Sequence, residues 1–103
     1  MNKRISHERG VDPSKRTYRQ MERIVKGFAN HRRIQMMELL KSKPELSLGE
    51  ICDKLNIGLK TGSDHLRRLA IAGLVLKRNE GNYVRHTLTK RSKSILVFLR
   101  KLE

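Results

Sequence analysis

The 103-residue chain has no tryptophan, two tyrosines, two phenylalanines, two prolines and a single cysteine, and its 10 acidic residues face 24 lysines and arginines. Each scarcity narrows the choices. One cysteine, Cys52, excludes an intramolecular disulfide and any multi-thiolate metal site built by one chain, so the fold must stand on packing. So few aromatics make a poor stacking platform for single-stranded RNA, and Tyr83 is expected instead to pack against the core. The scattered acids offer neither a nucleophile with its base nor two convergent carboxylates, which argues against an enzyme. No apolar run approaches the roughly 18 residues a bilayer span needs. No signal-peptide apolar stretch follows MNKRISHERG, so no membrane association and a cytoplasmic location are expected.

What is abundant is positive charge. A formal net charge of +14 carries self-repulsion that a polyanion relieves, and nucleic acid is the first suspect. The length suits one small domain. Residues 1–16 hold Lys3, Arg4, Arg9, Lys15 and Arg16 around Gly10 and Pro13, with almost no apolar periodicity. They are expected to form a flexible basic arm, leaving 17–103 as the folded domain.

Apolar residues then recur at helical spacing. Tyr18, Met21, Ile24 or Val25, and Phe28 predict a first helix. Asn30 can cap a second, with Ile34, Met36 or Met37, and Leu40 inward, ended before Pro44. Ser47 and Glu50 form an S-x-x-E capping box for a third, whose stripe is Leu48, Ile51, Cys52 and Leu55. Asn56-Ile57-Gly58 supplies a turn. A fourth helix runs from about Leu59 to Gly73, with Leu59, Gly62, Leu66, Leu69 and Ala70 inward and Lys60, Thr61, Ser63, Asp64, Arg67 and Arg68 outward. LVLKR, NEGN and YVRHTLT then read as strand, turn and strand, and Thr89 or Ser92 starts a last helix.

Two helices joined by a short turn, the second with a polar outer face, make a helix-turn-helix whose second helix enters the major groove of double-stranded DNA. Short side chains near its start let it sit deep, while Lys60 and Arg67 reach bases or phosphates. The hairpin strengthens the reading, because Arg78, Asn79, Asn82 and Arg85 flank its tip and can grip neighbouring phosphates or the minor groove. The expected fold is mainly α with a β-hairpin wing: a winged helix-turn-helix.

The stretch FANHRRIQMMELL resembles the small-Asp-x-x-Arg-hydrophobic second helix of the ArsR-type winged-helix regulators. LSLGEICDKLNIGLKTGSDHLRRLAIAGLV is similar to that family's recognition segment, with Ser63-Asp64-His65-Leu66 standing at its S-x-H-L element, and LKRNEGNYVRHTLT to its wing. The resemblance covers residues 28–89 without a gap. It implies DNA contacts from Lys60, Thr61, Ser63, Asp64 and Arg67, with wing contacts from Arg78 to Arg85. His65 is expected to hydrogen-bond a phosphate or the protein itself. Three positions depart from the pattern: Asn30 for Asp, Gly58 for Ser, and Gly62 for a β-branched residue, the last implying a thinner core. Cys52 falls where arsenic-sensing members carry the last of three thiolates, but Ser47 and Gly49 hold the other two positions, so a core role is expected for it. His7, His31, His65 and His86 show no i, i+4 pairing, and no metal or cofactor is expected.

Ile95-Leu96-Val97-Phe98-Leu99, followed by Leu102, has more apolar side chains than one helix face can hold. ArsR-like relatives dimerise through their first and last helices. A homodimer is therefore expected, with Tyr18 and Met21 of the first helix and Leu96, Val97 and Leu99 of the last at its interface, acting as a repressor on an inverted repeat. The rival readings are a non-specific DNA-packaging protein and a protein-interaction module.

Overall fold

Side-chain acceptors mark where four of the five helices begin. Thr17 opens α1 (Tyr18–Phe28): its hydroxyl accepts from the Gln20 amide while Gln20 Oε1 accepts from the Thr17 amide. Asn30 opens α2 (His31–Ser42), its Oδ1 accepting from the Arg32 and Arg33 amides. Ser47 and Glu50 form the expected capping box of α3 (Leu48–Leu55), and Thr89 opens α5 (Lys90–Arg100). The exception is α4 (Leu59–Ile71), where Gly58 has no side chain to offer the first-turn amides. This computed structural model describes residues 15–103. Of the expected basic arm, residues 1–14 lie outside the described residues.

The helix ends matter as much for orientation. Asn56 closes α3 in the left-handed region (φ 55°), turning the chain directly into α4. After α4, Gly73 (φ 73°) donates its N–H to Ala70 O and Leu74 donates to Leu69 O, the two bonds of a Schellman ending. Arg91 Nη1 then donates to Ala72 O at 2.8 Å, and Thr89 Oγ1 to Gly73 O at 2.7 Å. A cation at a helix C-terminus is favourable, so the start of α5 locks the end of α4.

The core gathers Met36, Met37 and Leu40 of α2, Ile51 and Cys52 of α3, Leu66 and Leu69 of α4, with Leu74, Val75 and Leu96 closing it. α2 packs against each of the other helices and against the second strand. Within α4, Gly62, Leu66 and Leu69 face inward as expected, but Leu59 is 60% exposed and Ala70 only half-buried. The thinner core expected at Gly62 is not found. A β-carbon there would lie 2.3 Å from Cys52 Sγ, so the sulfur occupies the space a side chain would take. Gly27 plays the same part between α1 and α4, where a β-carbon would lie 2.3 Å from Ala72 Cβ.

The hairpin pairs β1 (Val75–Glu80) antiparallel with β2 (Tyr83–Leu88), and only Gly81-Asn82 forms the tip. The sequence placed the turn over NEGN. The strand instead continues through Asn79 and Glu80, because Gly81, with a positive φ of 59°, can take the first position of a two-residue turn. Tyr83 does not pack against the core. It is 59% exposed, with the Arg85 guanidinium 5.2 Å from its ring centroid. In α5, Leu96 is 1% exposed and belongs to the core of its own chain, which removes it from any intersubunit contact. Leu99 is half-buried against the same core, while Val97, Phe98 and, past the end of α5, Leu102 are exposed, as are Tyr18, Met21 and Val25 of α1.

The Gly62–Cys52 contact generates a test. Gly62→Ala should destabilise the domain by about 1–3 kcal/mol through overpacking, despite a propensity gain of about 1 kcal/mol. Cys52→Ala should then recover much of that loss in the double variant. Urea unfolding of the four proteins measures the coupling, and simply additive losses would contradict the shared space.

Candidate nucleic-acid interface

Three of the inward positions of α4 are fully buried, so the opposite line, Lys60, Asp64, Arg67 and Ile71, is carried outward by helix geometry. Thr61 and Ser63 are exposed beside it. Lys60 makes no side-chain hydrogen bond or ion pair among the described residues. Asp64 accepts from Arg67 Nη2 at 2.8 Å and from Arg68 Nε at 3.1 Å, so one carboxylate orients two guanidiniums. The bonds from Arg67 and then Arg68 hold its carboxyl below the usual range. Asp64 was expected to contact DNA itself, and the geometry adds an arginine-positioning role.

His65 does not stand on the outward line. It turns toward α2, where its Nδ1 accepts from Arg33 Nη1 at 3.3 Å, since a guanidinium only donates. Burial, with Arg33 next, pushes the His65 imidazole below its ordinary value. Arg33 Nε is buried without a partner among the described residues. Of the two roles expected for His65, the structure shows the hydrogen bond within the protein.

The two faces of the wing differ. Arg78 and Arg85 are register partners, a like-charge pair that disfavours the strands unless neutralised. Glu45 and Glu80 take up Arg78, and Glu80 at 3.0 Å and Glu50 at 3.2 Å take up Arg85. Both arginines, read from the sequence as wing cations available for phosphates, are thus engaged within the hairpin through Glu80, and they tie it to the α2–α3 loop through Glu45 and to α3 through Glu50. The other face carries Lys77 and Asn79. With Ser47, Ser63 and Leu66 they line a cavity of about 490 Å³ between wing, α3 and α4. Lys77 makes no side-chain hydrogen bond or ion pair among the described residues, and the sequence reading passed over it. Its position before Arg78 was visible, but which strand face points to α4 depends on register. Asn79 and Asn82 are exposed as expected.

His86 anchors the wing. Its N–H donates to Leu46 O, its carbonyl accepts from the Glu45 N–H, and its Nδ1 donates to Leu46 O at 2.9 Å. Glu45 adopts φ 67° to make this turn, at a cost of about 1 kcal/mol for a residue other than glycine.

A helix-turn-helix with its second helix exposed on one side and a two-stranded wing beside it defines a winged-helix DNA-binding domain. Residues 30–77 match the family described as bacterial regulatory protein, ArsR family. The transcriptional activator HlyU of Vibrio cholerae is 35% identical over 80 residues, spanning 77% of this chain and 73% of that protein. The solved structure of HlyU from Vibrio cholerae superposes with a TM-score of 0.72 at 33% identity, over 82% of this chain and 91% of that one. The homodimeric winged helix-turn-helix DNA-binding domain of Mb0332 from Mycobacterium bovis gives a TM-score of 0.74 at 25% identity, over 85% and 87%. The chain belongs to the ArsR family of bacterial regulatory proteins.

The pH dependence of stability follows from His86. Burial outweighs the Leu46 hydrogen bond and lowers its folded-state value below the ordinary 6.5. The folded protein therefore binds fewer protons than the unfolded chain below that pH, and His65 acts in the same direction. Stability should be complete above about pH 6.5 and fall as acid takes the solution through the folded-state values. Urea midpoints at about pH 7.5 and about pH 5 measure the loss. His86→Gln, which retains a donor for Leu46 O, should show a smaller one; an identical pH profile would discount His86.

Proposed function

We propose that the chain binds double-stranded DNA sequence-specifically as a homodimer and regulates transcription from an inverted-repeat operator. The observation that carries this is the outward line of α4: a Lys60 without a partner among the described residues, two arginines aimed by one carboxylate, and the short Thr61 and Ser63, set opposite the buried Gly62, Leu66 and Leu69. Lys60 and Arg67 would read base edges, with Thr61 and Ser63 allowing close approach. Lys77, Asn79 and Asn82 would meet phosphates beside the wing, and Arg78 and Arg85 would join them by exchanging carboxylates for phosphates. The first-turn amides of α4, left uncapped by Gly58, suit a phosphate as well. Repression follows if the occupied operator overlaps a promoter; HlyU is named an activator, and a promoter fusion measured with and without the protein gives the sign.

The net charge of +14 favours a second reading, non-specific packaging of DNA. Selection from a random duplex pool separates the two: enrichment of an inverted repeat supports the regulator, and no enrichment supports packaging. On the selected duplex, Lys60→Ala or Arg67→Ala should reduce discrimination against random DNA by about 1–3 kcal/mol. Lys77→Ala should weaken both duplexes about equally. Retention of the full specificity ratio by both α4 variants would place the reading surface elsewhere.

Pairing is supported by the exposed apolar side chains. Tyr18, Met21 and Val25 share one side of α1, and Val97 and Phe98 of α5 are exposed, as is Leu102 just beyond it. Phe98 replaces the core residue Leu96 among the proposed interface contacts, and the Mycobacterium bovis domain is homodimeric. A two-fold would set the recognition helices about 34–36 Å apart. Sedimentation equilibrium at micromolar concentration should give a dimer for the parent and a monomer for Phe98→Glu. A monomeric parent that still binds an inverted repeat would refute the preformed dimer.

A further inference from the structure

α1 has two unlike sides. Tyr18, Met21 and Val25 recur on one, and Gln20, Arg23 and Gly27 on the opposite one. Because Gly27 has no side chain, α1 comes down onto Ala72 at the end of α4, and this brings the cations of two helices together. Two adjoining cavities of about 250 and 190 Å³ lie along the contact and share Arg23, Ile71 and Ala72. Their cationic lining is Arg16, Arg23, Lys26, Arg67, Arg68 and Arg91, and among the described residues no carboxylate lines either cavity.

The charge there is only partly answered. Asp64 serves both Arg67 and Arg68, and Glu22 lies 3.2 Å from Lys26 on the solvent side of α1. Arg91 spends its hydrogen bond on a neutral carbonyl. Arg16 and Arg23 make no side-chain hydrogen bond or ion pair among the described residues. Six cations therefore face two carboxylates, and five of the six are guanidiniums, whose planar fork matches phosphate oxygens.

We propose that the crevice between α1 and α4 is a phosphate-binding site apart from the wing, bordering the recognition surface at Arg67 and Ile71. Its placement favours the backbone of the DNA duplex as the source of phosphate, an assignment that rests on the reading that α4 enters DNA. A helix in the major groove has a backbone on each side. Ser63, beside the wing cavity, marks one flank of the outward line, and Arg68, in the crevice, marks the other. The wing thus covers one backbone and leaves the second for the crevice. Ile71, 73% exposed at the crevice, gives the apolar contact a sugar face would cover. Pairing through Tyr18, Met21 and Val25 uses the opposite side of α1 and leaves the crevice open.

The test uses the full chain and an Arg23→Gln/Lys26→Gln variant, both substitutions being on exposed side chains. Duplex affinity is measured across salt concentrations for the selected and a scrambled duplex, and inorganic tripolyphosphate is titrated calorimetrically into each protein without DNA. With one phosphate per crevice, the log–log salt slope of a dimer should fall by about two in the variant, with the preference between duplexes unchanged. That result assigns the crevice to the DNA backbone. Saturable tripolyphosphate binding by the parent, lost in the variant while the salt slope stays the same, assigns it to a free polyphosphate. An unchanged slope together with no saturable tripolyphosphate binding overturns the site. If the parent binds no duplex, it is the DNA reading that fails, and the tripolyphosphate titration alone then decides the crevice.

Discussion

Two contacts too close for a β-carbon set the position of α4, and the line of side chains on its outer face depends on them. Cys52 Sγ of α3 fills the place of a side chain at Gly62, and Ala72, which caps the end of α4, meets α1 at Gly27. α4 is therefore held from two sides by contacts that leave no room for a side chain on the glycine. The Schellman ending at Gly73, clamped by Arg91 and Thr89, fixes its far end. Interiors packed to crystal-like density transmit small displacements, so these contacts also determine where Lys60 and Arg67 stand.

In so basic a chain, several of the few carboxylates organise arginines. Asp64 aims two of them along α4, Glu45 and Glu80 hold Arg78, and Glu50 and Glu80 hold Arg85. Exposed pairs of this kind contribute little stability, typically about 0–1 kcal/mol. Their effect is directional: they choose which cations are bound to the protein and which are left for a ligand. Among the cations left without such a partner in the described residues are Lys60, Lys77, Arg16 and Arg23, which lie along α4, on the wing and in the α1–α4 crevice. A polyanion laid across these positions would be met on more than one element.

Element order, the capping of α2, α3 and α5, the Asn56 turn and the wing were legible in the sequence because each follows from local chemistry: helical spacing, an acceptor before a helix, a glycine where φ turns positive. The Thr17–Gln20 box was equally local and was passed over in favour of the apolar pattern that begins at Tyr18. The outward face of α4 was legible for the same reason, since a period fixes which residues lie opposite Leu66 and Leu69. Tertiary structure alone decided how each face was used. It buried Leu96 and exposed Phe98, because a run of five apolar residues does not say which of them meets α2. It turned His65 to Arg33, left Tyr83 in solvent, engaged Arg78 and Arg85 with glutamates, and joined α1 to α4 at a glycine. Those outcomes depend on which distant segments meet, and a periodic sequence specifies the faces of its helices but not their partners.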